Sequence, residues 1–285
     1  MTYEYHEPKS VAEVLDLLAR HGDDAHVVAG ATAFTLLWRQ GLLRPGHVIG
    51  LRGIAALGGI TASGGGLVIG ATVTHRTVER SKDVASYCPA ITRTFASVAT
   101  VRVRNQATIG GNLAHADPAQ DPPPMLIALG AEVVAASKAG ERAIPVEDVF
   151  VDVFTTSLRP GEIITAVRFP PLAAGTRATY LKFLPRTADD YATVSVAAAM
   201  RLASDGSVAD VRVALGAAGP TPRRARSVED ALRGARPDPK RIADAAALVD
   251  GDIEPFDDVR GSAAYKREMA RLWTERALTS LVTAP

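Results

Sequence analysis

The stretch from Asn105 to Pro124, NQATIGGNLAHADPAQDPPP, limits what this chain can become more than any other segment. It is too long for a simple connector inside a compact domain, and loops of that length are functional or disordered. Ile109 and Leu113 are apolar anchors that argue against disorder. The paired Gly110 and Gly111 permit a ligand to come close and let main-chain N–H groups meet phosphate oxygens. Asn112 carries both a donor and an acceptor. Asp121 is placed either to accept from ribose hydroxyls or to hold the loop. The chain from Asn105 is read as irregular until Pro122 to Pro124 introduce a helix over Met125 to Leu129, stopped by Gly130.

A second bend lies far upstream at Val27-Val-Ala-Gly-Ala-Thr32. A short apolar strand, His26 to Ala29, turns through small residues into a helix predicted over Ala33 to Gln40. Backbone N–H groups at such a turn, together with the positive end of the helix dipole, suit a phosphate. Gly30 and Ala31 leave room for it, and Thr32 adds a hydroxyl. On its own the bend reads more readily as a tight strand-to-helix connection than as a phosphate site. Two glycine-bearing bends together point to a diphosphate cofactor lying between two subdomains.

Much else is excluded. No G-x-G-x-x-G follows a strand, and G-K-[ST], H-E-x-x-H, C-x-x-C and G-x-S-x-G are all missing. The single cysteine, Cys88, cannot hold an iron–sulfur cluster, which takes about four thiolates. One thiol fits a reducing cytoplasm. The six histidines are scattered without metal-ligand spacing, so no metal site is expected; His75 and His115 read as ordinary surface or hydrogen-bonding residues. A net charge of +1 favours neither nucleic acid nor an anionic membrane. No basic segment followed by an apolar stretch opens the chain, and no apolar run is long enough to span a bilayer.

Along the chain, Ser10 and Glu13 form a capping box for a helix that carries Val11, Val14, Leu15 and Leu18 and ends at Gly22. Val48 to Leu51 closes a first α/β unit. Strand Leu67 to Ala71, a helix capped by Thr74, a helix from Pro89 to about Val101, and strands Ala131 to Ala136 and Ile163 to Phe169 make a second. Pro170 to Gly175 is the clearest linker. Beyond it come strands Tyr180 to Leu184, Thr193 to Leu202 and Val208 to Leu215, then helices near Ser227–Arg233, Lys240–Val249 and Ala263–Val282. The expected division is 1–55, 56–172 and 173–285.

The blocks VVAGAT, TIGGNLAHADPAQDPPPMLIALGAEV, LRPGEIITAVRFP, YLKFLPRTADDYATVSVAAAM and VRVALGAAGPTP, in that order, resemble the FAD-binding medium subunit of molybdenum hydroxylases. This group includes aerobic carbon monoxide dehydrogenase and the flavoprotein subunits of xanthine and aldehyde dehydrogenases. The resemblance runs from about Tyr3 to Leu281. It implies an α+β chain: a two-subdomain FAD-binding fold of the vanillyl-alcohol-oxidase/PCMH type, then a CO-dehydrogenase-flavoprotein-like domain with a three-stranded antiparallel sheet and helices. By that likeness Val27, Val28, Ala29, Gly30, Ala31, Thr32 and Ala33 line a first FAD cradle. Thr108, Gly110, Gly111, Asn112 and Ala114 line a second, with Asp121 near the ribityl or ribose hydroxyls. Ile163 and Ile164 offer backbone to the flavin or adenine. Lys182 matches a basic residue near the isoalloxazine edge, where a cation raises the flavin potential, and Tyr191 packs near the ring.

The same resemblance implies electron transfer without a catalytic side chain. A large partner subunit carries the molybdenum cofactor and a small one the [2Fe–2S] clusters, in a cytoplasmic dimer of heterotrimers. Alternatives are a stand-alone flavin oxidase and an FAD-free scaffold subunit. The family pattern A-G-G-T-D or A-G-G-x-S reads Ala29-Gly30-Ala31-Thr32-Ala33 here. If Ala31 takes a positive φ, it is strained by ~1 kcal/mol or more.

Overall fold

The first helix is set by its cap. Ser10 Oγ accepts from Glu13 N at 3.2 Å, the first half of the capping box, while the Glu13 carboxylate reaches back one residue further than that motif requires and accepts from Lys9 N at 2.8 Å. A computed structural model describes residues 3–185, 187 and 190–283. Strand β1 (Glu4–His6), helix α1 (Val11–His21), strand β2 (Ala25–Val28), helix α2 (Thr32–Arg39) and strand β3 (His47–Gly50) form the first layer. The three strands are parallel in the order β1-β3-β2. Parallel neighbours need crossovers, which α1 and α2 supply. Val14 of α1 packs on Ile49, Leu51, Ile54 and Leu57, and Ile163, from far downstream, completes this core.

Antiparallel pairing dominates the second layer. It holds β4 (Ile60–Ser63), β5 (Gly66–Gly70), β6 (Glu132–Ser137), β7 (Gly140–Pro145), a small hairpin of β8 (Phe150–Asp152) and β9 (Thr155–Thr156), and β10 (Ile163–Phe169). The main sheet runs β4-β5-β10-β6-β7. Six short helices connect β5 to β6: α3 (His75–Arg80), α4 (Lys82–Tyr87), α5 (Pro89–Ala96), α6 (Val101–Arg104), α7 (Ile109–His115) and α8 (Pro122–Ala128). Ile69, Val78, Phe95, Ile109, Leu113, Met125 and Leu126 share one core.

The third layer is β11 (Arg177–Phe183), β12 (Val194–Leu202) and β13 (Val208–Gly216), three long antiparallel strands as expected, extended by the two-residue β14 (Arg223–Arg224). Helices α9 (Arg226–Leu232), α10 (Pro239–Ala247) and α11 (Ala263–Thr283) cover it. Among the described residues, no helix is long and apolar enough to cross a membrane.

Three sequence expectations change here. The segment from Asn105 is not irregular: Thr108 caps α7, and its hydroxyl accepts from Gly111 N at 3.1 Å. Glycine disfavours helix by up to about 1 kcal/mol per residue, so the pattern hid a helix that tertiary contacts stabilise. The helix expected from Pro89 to Val101 stops at Ala96, because Ala99 takes φ 39° and Thr100 caps a new turn. Arg104 ties that break, donating to the carbonyls of Val98 and Ala99 at 2.8 and 2.7 Å. His75 is not a surface residue; it is 1% exposed, edge-on to Phe95. Its burial holds the imidazole well down, at about 4.

Candidate cofactor-binding site

The first bend is built for close approach. Ala31 is the N-cap of α2 and sits at φ 54°, ψ 16°, so the conditional strain applies and costs about 1 kcal/mol. Its carbonyl accepts from Thr35 N at 2.9 Å and from Thr35 Oγ1 at 2.8 Å. The amides of Thr32, Ala33 and Phe34 precede the first such bond and have no partner within the helix. They face the same way as the positive end of the α2 dipole. Val27 and Ala29 flank this bend half-buried, while Val28 is buried and its carbonyl accepts from Leu51 N.

Gly30 decides how the two bends relate. A Cβ on Gly30 would stand 1.9 Å from the Gln106 carbonyl oxygen and 3.0 Å from the Ala107 Cα. Backbone therefore lies on backbone, and the chain entering Thr108 is pressed against the first bend. Arg52 reinforces the junction by donating to Gln106 Oε1 at 3.2 Å. Sequence reasoning missed both Arg52 and Gln106, since their meeting depends on the docking of two layers.

The second segment differs from expectation. Its leading amides do not form an open nest. Ile109 N donates to Val73 O at 3.0 Å, Gly110 N to Ala71 O at 2.9 Å and Asn112 N to Thr108 O at 2.9 Å, while Gly111 N is held by Thr108 Oγ1. Gly110 is turned inward: a Cβ there would meet the Ala71 Cβ at 2.6 Å. It is a packing glycine, not a lining one. Gly111 and Ala114 are exposed and three residues apart, so they give α7 one nearly bare face. Beside them the Asn112 side-chain oxygen is buried without a hydrogen-bond partner among the described residues. Buried polar atoms are rarely left unpaired, so this one awaits a donor. A bare helix face, an orphan acceptor and, across the Gly30–Gln106 contact, a helix end whose first amides have no partner within the helix fit a dinucleotide.

Asp121 takes the second of its two expected roles, holding the loop. It is 4% exposed, accepting from Tyr180 Oη at 2.5 Å and from Lys182 Nζ at 2.9 Å. Burial pushes its carboxyl above the ordinary aspartate range, while Lys182 and Tyr180 oppose that push. Lys182 also donates to Ser97 O at 3.1 Å, so its ammonium is ion-paired and hydrogen-bonded within the fold. Tyr180 and Lys182 alternate along β11 and point to one face; the YLKF pattern carried that signal for Tyr180, which sequence reasoning left out. The loop is fixed further by Ala217 N donating to Pro118 O at 2.9 Å.

Ile163 and Ile164 are buried side chains of β10, paired with Ala136 and Ala135 of β6. Ile163 belongs to the first core and Ile164 to the second, so they join layers. Tyr191 is 40% exposed, with the Arg260 guanidinium 5.2 Å from its ring centroid. Its hydroxyl is pushed up to about 12, by burial first and then by Asp117. An open cleft of about 540 Å³ lies outside the predicted set, lined by Thr74, Arg76, Thr77, Arg80 and Asn105 among others.

With this geometry in view, comparison with known proteins is decisive. Residues 1–172 match the model of the FAD binding domain in molybdopterin dehydrogenase, and residues 179–281 match the CO dehydrogenase flavoprotein C-terminal domain. The chain belongs to the FAD-binding medium subunits of the molybdenum hydroxylase family. It is 34% identical over 278 residues to the carbon monoxide dehydrogenase medium chain of Hydrogenophaga pseudoflava, covering 98% of this chain and 96% of that one. Identity is also 34% to the 6-hydroxypseudooxynicotine dehydrogenase complex subunit alpha of Paenarthrobacter nicotinovorans, over 97% and 93% of the two chains. Among solved structures, carbon monoxide dehydrogenase from Hydrogenophaga pseudoflava superposes with a TM-score of 0.95 at 35% identity, covering 99% of this chain and 97% of that one. Quinoline 2-oxidoreductase from Pseudomonas putida 86 superposes at 0.92 and 32% identity, covering 99% and 97%. This medium subunit therefore carries an FAD-binding domain and is a component of an oxidoreductase.

Proposed function

We propose that this subunit holds FAD with its diphosphate between the start of α2 and the bare face of α7. The observation that carries the reading is the backbone contact of Gly30 with Gln106 and Ala107, which makes one site of two distant segments. The amides of Thr32 and Ala33 and the α2 dipole meet the negative charge. Gly111 and Ala114 let the cofactor lie flat, and Asn112 supplies the orphan acceptor to a hydroxyl or amino group. Val27 to Ala29 form the floor of the first cradle. The Asp121–Tyr180–Lys182 cluster positions the loop after α7 and keeps the third layer against the second.

When bound, the flavin supplies one- and two-electron redox chemistry. The chain stands between [2Fe–2S] clusters on a small partner subunit and an external electron acceptor. The molybdenum cofactor sits on a large partner subunit, the three forming a dimer of heterotrimers in the cytoplasm. Working boundaries are 1–55, 56–172 and 173–285. Lacking thiolates for a cluster, the chain leaves iron to another subunit. Purification of the native complex tests this. Two further subunits, with molybdenum, iron and non-covalent FAD in fixed ratio, are expected; a chain that purifies alone with FAD and oxidises an alcohol would overturn the reading.

A further inference from the structure

Three histidines that the sequence scatters meet over one face of the first sheet. His6 ends β1, His21 ends α1 and His47 opens β3. Glu4 pairs with His47 in register and His6 with Ile49, so the side chains of Glu4, His6 and His47 share one face. That face is covered by α1, whose Val14 packs with Ile49, and the end of α1 delivers His21 to the same place. One nitrogen from each ring lies within 4.8 Å of the other two. His6 Nε2 and His47 Nδ1 are 3.1 Å apart. The His21 ring centroid is 3.6 Å from that of His47 and 5.4 Å from that of His6. Glu4 brings carboxylate oxygens to 3.8 Å from His6 Nε2 and 3.5 Å from His47 Nδ1.

An N–H···N contact aims one lone pair and one proton into the same gap. A cation in place of that proton makes ligands of both nitrogens. The proton moves to the far ring nitrogen of the same imidazole or, if the ring is doubly protonated, leaves to solvent. A neutral imidazole is the form that ligates.

We propose that His6, His21 and His47, with Glu4 as the fourth ligand, form a site for a divalent transition cation of the zinc class. Neutral imidazoles suit zinc, copper or nickel, whereas magnesium and calcium take oxygen ligands. Tetrahedral zinc with bonds of about 2.0–2.1 Å sets its nitrogens roughly 3.3 Å apart. The His6–His47 pair already has that spacing, and side-chain rotation of His21 closes the rest. The cation ties the edge strand β1 to the end of α1 and the start of β3. His47 opens β3 at the end away from the Val28–Gly50 pair that Gly30 follows.

The test uses the full chain, stripped with a chelator and titrated with zinc chloride, and in parallel with cobalt chloride. One ion per chain, a visible cobalt absorption of tetrahedral intensity and a zinc-dependent rise in Tm are expected. His6→Gln/His21→Gln/His47→Gln abolishes all three, and Glu4→Gln weakens binding by about tenfold or more. FAD content is unchanged throughout, which separates this site from the cofactor cradle. His21→Gln alone, at the partly exposed end of α1, gives the same reading if the triple variant misfolds. No uptake by the unaltered chain, or uptake that survives His21→Gln undiminished, overturns the proposal.

Discussion

The two bends present opposite solutions to one problem. The first spends conformational energy to keep polar groups open: Ala31 sits left-handed so that α2 can point its free amides outward. The second has its leading amides tied to Val73, Ala71 and Thr108 and offers surface instead, through Gly111 and Ala114. On the proposed reading, a strained bend with open donors and a satisfied helix with a bare face make an asymmetric cradle. Charge is handled on one side and shape on the other. Gly30 and Gly110 do neither task directly; each lets one backbone touch another, at Gln106 and at Ala71.

The largest effect expected is from Gly30→Val. No rotamer avoids a carbonyl oxygen 1.9 Å from the Cβ, so the bends must part and the purified chain should carry almost no FAD by absorbance. Normal flavin content would break the comparison at its root. Next is Lys182→Met, which leaves Asp121 buried without its cation. Loss of one partner of a buried pair costs about 3–5 kcal/mol, read by urea denaturation, and Asp121→Asn/Lys182→Met should recover part of it. A milder loss would mean that water reaches the loop.

His75 lies behind the second bend, where its amide donates to Ala107 O at 2.8 Å. Its folded value of about 4 lies below the unfolded 6.5, so folding favours the neutral ring. Stability from this group is complete above the unfolded value and falls as pH drops from 6.5 towards 4. The total is about 3 kcal/mol. Unfolding measured across that range should flatten in His75→Gln relative to the parent; parallel curves would remove His75 from the account. The smallest effect is from Ala31→Gly, which relieves the left-handed strain and should stabilise the chain by about 1 kcal/mol in thermal unfolding. Stability that falls instead would show that the methyl group packs against something that matters.

Local signals were legible and distant ones were not. Ser10, Thr74 and Pro89 each start a helix where their chemistry predicts. The strand before Gly30 and the long alternating β13 follow their patterns. Helix α7 was hidden because two glycines argue against a helix locally, while the contact that demands Gly110 comes from Ala71, thirty-nine positions upstream. The pairing of Asp121 with Lys182 could not be read because the residues are 61 apart in the chain, although a loop-holding role for Asp121 was one of its two readings. Arg52 and Gln106, and the meeting of His6, His21 and His47, have the same origin in layers that dock.

Equilibrium titration of the flavin-stripped full chain with FAD, alongside Gly30→Val and Asn112→Ala, addresses the cradle itself. One equivalent of FAD should bind to the parent chain, and both variants should bind it far more weakly while keeping the parent's far-ultraviolet spectrum. Unchanged affinity in both folded variants would show that FAD binds somewhere other than between these two segments.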